Sequence, residues 1–251
     1  MICRRASPPK AASGREEGAV DPVAAELEAA RNAILATDYL NTVASCRQAL
    51  AKCPKHVEAT TLLAEAYRET GLLEAAEDLL RRVLSADPEN VLAHWALGLL
   101  LSDQGRDAEA IACLTHAREL SPANPEILSD LQHLVAERRS VVKPTRAMLG
   151  RLYLRQGLYR WAAEEFRAVL AADPRRLDVW VALARALWLD LSTDDATVVC
   201  EAILDDSPDC VQALLILARA RQQDGENAAA EQLRARALEL DPAGSIAARL
   251  L

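Results

Sequence analysis

Three arginines, Arg151, Arg185 and Arg219, recur at intervals of 34 residues. A guanidinium group binds carboxylates and phosphates through paired, charge-assisted hydrogen bonds. The regular spacing therefore suggests that a row of arginines contacts acidic groups of a binding partner. An alternative interpretation stays open, because arginine is also a good helix former at a position where many residues are tolerated.

Residue patterns of common catalytic sites are missing from the sequence. It has no phosphate-binding GxxxxGK[ST] loop, no GxGxxG or GxSxG segment and no HExxH pair, and its four histidines are scattered. Neighbouring carboxylates such as Asp194 and Asp195 are explained by solvation at turns. We therefore expect a protein that is not an enzyme and that uses no cofactor and no metal ion.

The six cysteines show no paired spacing. No CxxC segment occurs, and Cys46, Cys113 and Cys200 fall at or beside apolar positions of predicted helices. A thiol in such a place acts as a small hydrophobic group. We expect these cysteines to be structural rather than redox-active or metal-binding.

Charge and hydropathy limit the kinds of partner. The formal net charge is -8, whereas a surface that binds nucleic acid needs an excess of basic residues. We therefore expect no nucleic-acid partner. No run of 18 apolar residues is present, so we expect no membrane span. Residues 1–20 contain Arg4 and Arg5 without a following apolar run, which argues against a secretory signal. We expect a disordered tail over 1–20 and a cytoplasmic protein.

The chain carries an internal repeat of 34 residues. Six prolines mark it, with one longer gap in the middle: Pro54, Pro88, Pro122, Pro174, Pro208 and Pro242. When each proline is counted as position 32, position 8 is Gly or Ala and position 15 is Gly in four units. A small residue at position 8 predicts close contact between two helices, and glycine at position 15 predicts the turn that joins them.

These residues resemble the tetratricopeptide repeat, a helix-turn-helix of 34 residues. The resemblance implies an all-α fold, a right-handed superhelix of about six units. Units one to three cover 21–122 and units four to six cover 144–242. The first unit, residues 21–54, is the weakest copy, because Thr37 stands at the glycine position and Thr42 at a second small position.

Two segments fall outside the repeat. Residues 123–143 separate units three and four, and Asn124, Pro125 and a stripe of apolar residues predict a helix over 125–139. That helix could continue the superhelix or could cap the first three units, and the sequence leaves both open. Residues 243–251 are predicted to begin a terminal helix or cap.

The resemblance also implies that the first helix of each unit lines a concave groove. The groove positions of units four to six are basic and apolar, and eight of their residues form our predicted partner-binding site: Arg151, Arg185, Arg219, Arg155, Met148, Leu154, Trp188 and Leu215. The Lys and Asn by which some relatives clamp a C-terminal carboxylate are absent from the corresponding positions.

The sequence therefore predicts a non-catalytic scaffold or adaptor that binds a protein or peptide in this groove. We expect the bound segment to carry acidic residues beside apolar anchors. One alternative is the repeat region of a larger enzyme or assembly that positions a protein substrate. Another is a structural subunit that associates with copies of itself.

Overall fold

The computed structural model describes residues 22–137 and 144–250, so the predicted tail at 1–20 lies outside the described residues. Over the described ranges the chain forms α-helices and one short 3-10 helix, without strands. The helices are α1 Ala24–Leu35, α2 Tyr39–Lys52, α3 Val57–Glu69, α4 Leu73–Ala86, α5 Val91–Asp103, α6 Asp107–Leu120, α7 Pro125–Glu137, α8 Arg146–Arg155, α9 Tyr159–Ala172, α10 Leu177–Leu189, α11 Thr193–Asp206, α12 Val211–Gln223 and α13 Asn227–Leu240, followed by the 3-10 helix Ala247–Arg249. The predicted all-α fold is confirmed.

The helices form the predicted pairs, because the repeat places a turn at a fixed position of each unit and some first helices also begin with a capping side chain. The first helices of units two to six are α3, α5, α8, α10 and α12. At the start of α5, the Asn90 side chain accepts a hydrogen bond of 2.9 Å from the Ala93 amide. The turn residue at position 15 has a left-handed backbone whether or not it is glycine, with φ of 73° at Gly105 and 63° at Leu191. The packing of the repeat therefore imposes this turn even on a residue that disfavours it.

The small residue at position 8 is required by the close approach of two helices. A Cβ atom placed on Gly98 would lie 2.8 Å from Cγ of Leu114. A Cβ atom on Gly150 would lie 2.6 Å from Cε1 of Phe166. Both distances are shorter than carbon atoms tolerate, so the predicted contact within each helix pair is confirmed.

The helix predicted between units three and four is present as α7. It begins three residues after Pro122 and packs on α6, as the first helix of a following unit would. Its side chains Leu131, Leu134 and Val135 join the apolar core of the first half. That α7 caps the first three units stays a prediction.

The two halves of the chain also contact each other. Val211, Leu214 and Leu240 of unit six belong to the same apolar core as unit two. At the edge of this contact, the Lys55 ammonium lies 3.0 Å from the Asp209 carboxylate. Contacts between units two and six go beyond the neighbour-to-neighbour packing that a simple solenoid provides.

The C-terminal segment, where a terminal helix or a cap was predicted for 243–251, forms a turn in its described part. The Asp241 carboxylate accepts hydrogen bonds from the amides of Ser245 and Ile246, at 2.9 and 2.7 Å. These bonds hold a tight turn that leads into only one 3-10 turn. Ile246 and Leu250 are buried in this arrangement.

Three cysteines, Cys46, Cys200 and Cys210, are buried and free. Burial, and to a lesser degree the charge of Glu58, raises the pKa of the Cys46 thiol to about 12. Such a thiol stays protonated and unreactive at neutral pH.

Candidate functional site

The groove of units four to six contains the turn between α4 and α5, which we call the 87–90 turn. Asp87, Pro88 and Glu89 of this turn are buried. His94 of α5 holds it from one side, with Nε2 2.9 Å from the Pro88 carbonyl oxygen. The turn therefore brings two carboxylates of the first half into the groove where the arginine row was predicted.

Glu89 contacts two of the predicted arginines. Its carboxylate accepts hydrogen bonds from Arg151 and, at 2.8 Å, from Arg185. Arg151 also donates to Asp178 at 2.8 Å, and its residue surface is only 5% exposed. This chain therefore supplies carboxylates to both arginines, and the binding of an acidic partner by Arg151 and Arg185 stays a prediction.

Asp178 connects Arg151 to a second ion pair, which Arg176 forms with Glu119. Arg176 donates to Asp178 at 2.8 Å and to Glu119 of α6 at 2.5 Å. Burial alone would raise the pKa of Asp178, but the hydrogen bond and charge of Arg176 and the charge of Arg151 outweigh it and hold the pKa well below its usual range. Opposite charges therefore balance within a buried network that joins the halves.

Asp87 makes a further connection between the halves. Its carboxylate accepts a hydrogen bond of 2.8 Å from the Gln212 side chain amide and is paired with Arg249. Arg249 also donates to the backbone carbonyl of Glu89 at 3.3 Å. The C-terminal turn thus takes part in holding the 87–90 turn.

A recess of about 200 Å³ remains beside this network. It brings together four of the predicted site residues, Arg151, Leu154, Arg155 and Arg185. Of these, Arg155 is exposed to solvent.

The other four predicted residues lie elsewhere. Trp188 packs on the core of the second half, and Leu215 packs between the two main cores. Met148 and Arg219 are half-buried on α8 and α12. The structure therefore does not gather the eight residues into one open surface.

An open groove lies instead in the first half, between α3 and α5. We call it the α3–α5 groove; its volume is about 220 Å³, and seven residues line it: Thr61, Glu65, Arg68, Leu92, Trp95, Ala96 and Leu99. Leu92 is 59% exposed at its edge. The Trp95 indole nitrogen donates to Asp130 of α7 at 2.7 Å, which fixes the ring at the groove. Six of the seven residues occupy repeat positions that also occur in the predicted site of the second half, and the seventh, Leu92, is at position 2.

The wall formed by α3 carries polar groups that are incompletely satisfied. Burial raises the pKa of Glu65, and the charge of Arg68 offsets this only in part. Arg68 pairs with Glu69, yet its buried Nε has no hydrogen-bond partner among the described residues. A buried donor without an acceptor costs free energy, which a ligand carbonyl could recover.

Sequence reasoning missed this groove for an identifiable reason. Position 9 reads Glu65 and Leu99 in units two and three, whereas it reads Arg in units four to six. The repeated arginine led the prediction to the second half. The accessible groove is instead lined by apolar residues around Trp95, which do not recur from unit to unit. The signal that the sequence offered was a leucine, Leu92, at position 2, which faces the groove in this repeat.

Within the described residues, three or more His, Cys, Asp or Glu side chains nowhere group as metal ligands would. Over the same residues no helix combines the length and apolar character that crossing a bilayer requires.

Comparison with known families agrees with the geometry of the helix pairs. Family models described as tetratricopeptide repeat match residues 33–98, 73–134 and 147–197, together more than half of the chain. The chain belongs to the tetratricopeptide repeat family.

Individual proteins match at low identity. The Drosophila melanogaster protein O-mannosyl-transferase Tmtc3 is 31% identical over 105 residues, which are 41% of this chain and 11% of that protein. Among solved structures, the P58(IPK) TPR domain is 17% identical with a TM-score of 0.40, covering 92% of this chain and 64% of that one. A tetratricopeptide repeat protein from Parabacteroides merdae is 16% identical with a TM-score of 0.43, covering 91% and 97%.

Proposed function

We propose that this protein is a non-catalytic interaction module that binds a peptide or helix of a partner protein in the α3–α5 groove. The observation that carries the proposal is the exposed Leu92 beside Trp95 and Leu99, on a concave wall formed by two repeat units. An exposed apolar patch in a groove is typical of a protein-binding site. The corresponding groove of the second half already contains the 87–90 turn.

The residues that line the groove indicate which side chains the bound segment would carry. Leu92, Trp95 and Leu99 suit an aliphatic or aromatic anchor. Glu65 offers a carboxylate to a lysine, an arginine or an amide, and Arg68 Nε offers a donor to a backbone carbonyl. The partner segment is therefore apolar with a basic or amide side chain, and the acidic preference inferred from the arginine row does not carry over to this groove.

A random peptide library displayed on phage tests the proposal. We expect enriched peptides to bind the wild-type protein and to lose about tenfold in affinity to a Leu92→Ala variant, because part of a leucine side chain no longer becomes buried. Leu238→Ala on α13 is the matched control, since Leu238 is also a half-exposed helical leucine. Enriched peptides that bind both variants as tightly as the wild type would rule out this groove.

A second candidate function follows from the match to the O-mannosyl-transferase Tmtc3. The matched part of that protein is about a tenth of its length, so these repeats could present a protein substrate to a catalytic unit. Recovery of a transferase in equal amounts with the tagged, purified protein would favour this function. Recovery of the protein without one, together with peptide binding at Leu92, would favour the interaction module.

A further inference from the structure

The recess of about 200 Å³ beside the buried network lies between the two halves, and we call it the arginine recess. Four arginines, one glutamate and three aliphatic residues line it: Glu89, Val91, Leu120, Arg151, Leu154, Arg155, Arg185 and Arg249. Liquid water occupies about 30 Å³ per molecule, so the recess has room for about six waters. A recess of this volume admits an oxyanion that carries a short organic part.

Most carboxylates that balance these arginines are set behind the wall of the recess. Arg249 pairs with Asp87, and Arg151 pairs in part with Asp178. Asp87 and Asp178 are at most 3% exposed and do not line the recess. Glu89 is thus the one carboxylate among the lining residues. The wall therefore presents more positive than negative charge to a ligand.

The chain itself leaves hydrogen-bond donors on this wall unused. Arg155 is exposed, and its guanidinium group forms no ion pair or hydrogen bond with any residue in 22–137 or 144–250. The buried Nε of Arg151 also has no acceptor among these residues. Glu89 has little capacity left, because its two oxygens already accept three hydrogen bonds from Arg151 and Arg185. A ligand that supplies an acceptor would therefore find a charged donor without a partner in Arg155.

The placement of the arginines favours a phosphate group over a carboxylate. Arg155 ends α8, Arg185 lies on α10, and Arg249 belongs to the C-terminal 3-10 helix. Three separate elements thus bring guanidinium groups to one recess. A phosphate has three oxygens that accept hydrogen bonds from different directions, and guanidinium groups bind it through paired bonds. A carboxylate offers only two oxygens, which lie in one plane.

The remaining wall of the recess is apolar. Val91, Leu120 and Leu154 line it and are half-buried. An inorganic ion would leave these side chains in contact with water, whereas an organic group attached to the phosphate would cover them. Sites for small molecules combine an apolar wall with a few oriented polar groups in the same way.

We propose that the arginine recess binds the phosphate group of a small organic phosphate ester. Arg155, Arg185 and Arg249 donate to the phosphate oxygens, and the organic part lies against the apolar side chains. The ligand contacts both halves of the chain, since the arginines belong to the second half and Leu120 to the first. This site is separate from the α3–α5 groove and does not depend on the function proposed for it.

Isothermal titration calorimetry with phenyl phosphate tests the proposal, because this probe joins a phosphate to a small apolar ring. The second pKa of such a phosphate is near 6, so the probe is mostly a dianion at about pH 7.5. Inorganic phosphate lacks the ring, and benzoate replaces the phosphate by a carboxylate. At equal ionic strength we expect phenyl phosphate to bind about tenfold more tightly than either of them.

Single variants then locate the binding site. Arg155→Gln should weaken the binding of phenyl phosphate about tenfold or more, because it removes a charge-assisted hydrogen bond. Arg167→Gln is the matched control, since Arg167 is an exposed arginine of the same unit that does not line the recess. We expect this control to bind like the wild type. Leu154→Ala should weaken phenyl phosphate more than inorganic phosphate, because it shortens the apolar wall.

Four results would overturn the proposal. Phenyl phosphate that does not bind at millimolar concentration would show that the recess is no phosphate site. Equal affinities for the wild type and Arg155→Gln, or equal losses in Arg155→Gln and Arg167→Gln, would place the binding outside the recess. Benzoate that binds as tightly as phenyl phosphate would make the recess a carboxylate site. Inorganic phosphate that binds as tightly would assign it to the free ion instead of an ester.

Discussion

Replacement of Glu89 by alanine tests the buried network between the halves. The substitution leaves Arg151 with Asp178 as its remaining carboxylate, and it removes the carboxylate that pairs with Arg185. Both arginine side chains are at most 15% exposed, so water compensates poorly for the loss. Removing one partner of a buried ion pair typically costs about 3 to 5 kcal/mol. We expect a loss near the lower end, because Asp178 still neutralises Arg151.

Lys55→Ala is the matched control for this experiment. Lys55 and Asp209 also join the first half to the second, but both side chains are well exposed. An exposed ion pair contributes about 0 to 1 kcal/mol, and salt weakens it further. The comparison therefore separates the effect of burial from the effect of linking the two halves.

Urea unfolding followed by far-ultraviolet circular dichroism measures both variants. We expect Glu89→Ala to lower the free energy of unfolding by about 3 kcal/mol and Lys55→Ala by less than about 1 kcal/mol. The double variant Glu89→Ala with Arg151→Ala should show a coupling free energy of about 1 to 3 kcal/mol. Equal losses for the two single variants, or no coupling, would show that the 87–90 turn does not depend on the arginines.

Three further predictions concern single positions. Leu191→Gly should stabilise the protein by about 1 kcal/mol in thermal unfolding, because a left-handed turn costs a leucine about that much and Leu191 is 86% exposed; a lower midpoint would contradict this. Gly98→Leu should destabilise by about 1 to 3 kcal/mol, since even a Cβ atom would meet Leu114; an unchanged midpoint would contradict close packing. Burial holds the pKa of His116 at about 3 in the folded protein, whereas the unfolded chain binds the proton near pH 6.5. Stability should therefore fall as the pH drops from about 6.5 to 3, by up to about 1.4 kcal/mol per pH unit, and His116→Gln should reduce this slope in urea titrations at several pH values.

The sequence predicted the helix pairs well because their signals are local and repeated. Glycine at position 15 predicted the turns, and the structure shows the left-handed backbone there. Thr37 and Leu191 show the limit of that signal, since both adopt the turn without glycine. Packing on both sides of the turn outweighs the local preference of one residue.

The candidate site was less predictable, because it depends on contacts between distant units. Repeat position identified the face on which Arg151 and Arg185 lie, but it did not show what that face contacts. Glu89 reaches them across 62 and 96 residues of sequence. No local pattern encodes such a distance, although an acidic turn and an arginine row in one chain are complementary in charge.

Equivalent repeat positions differ in accessibility between the two halves. In a continuous stack each unit would contact only its neighbours, and the grooves of all units would be open alike. Here α7 takes the next place on α6, while units two and six come into contact through Val211 and Leu240. The groove of the second half contains Glu89, and the groove of the first half keeps Leu92 exposed. Contacts between distant units, rather than the repeat positions themselves, therefore determine which groove residues stay accessible.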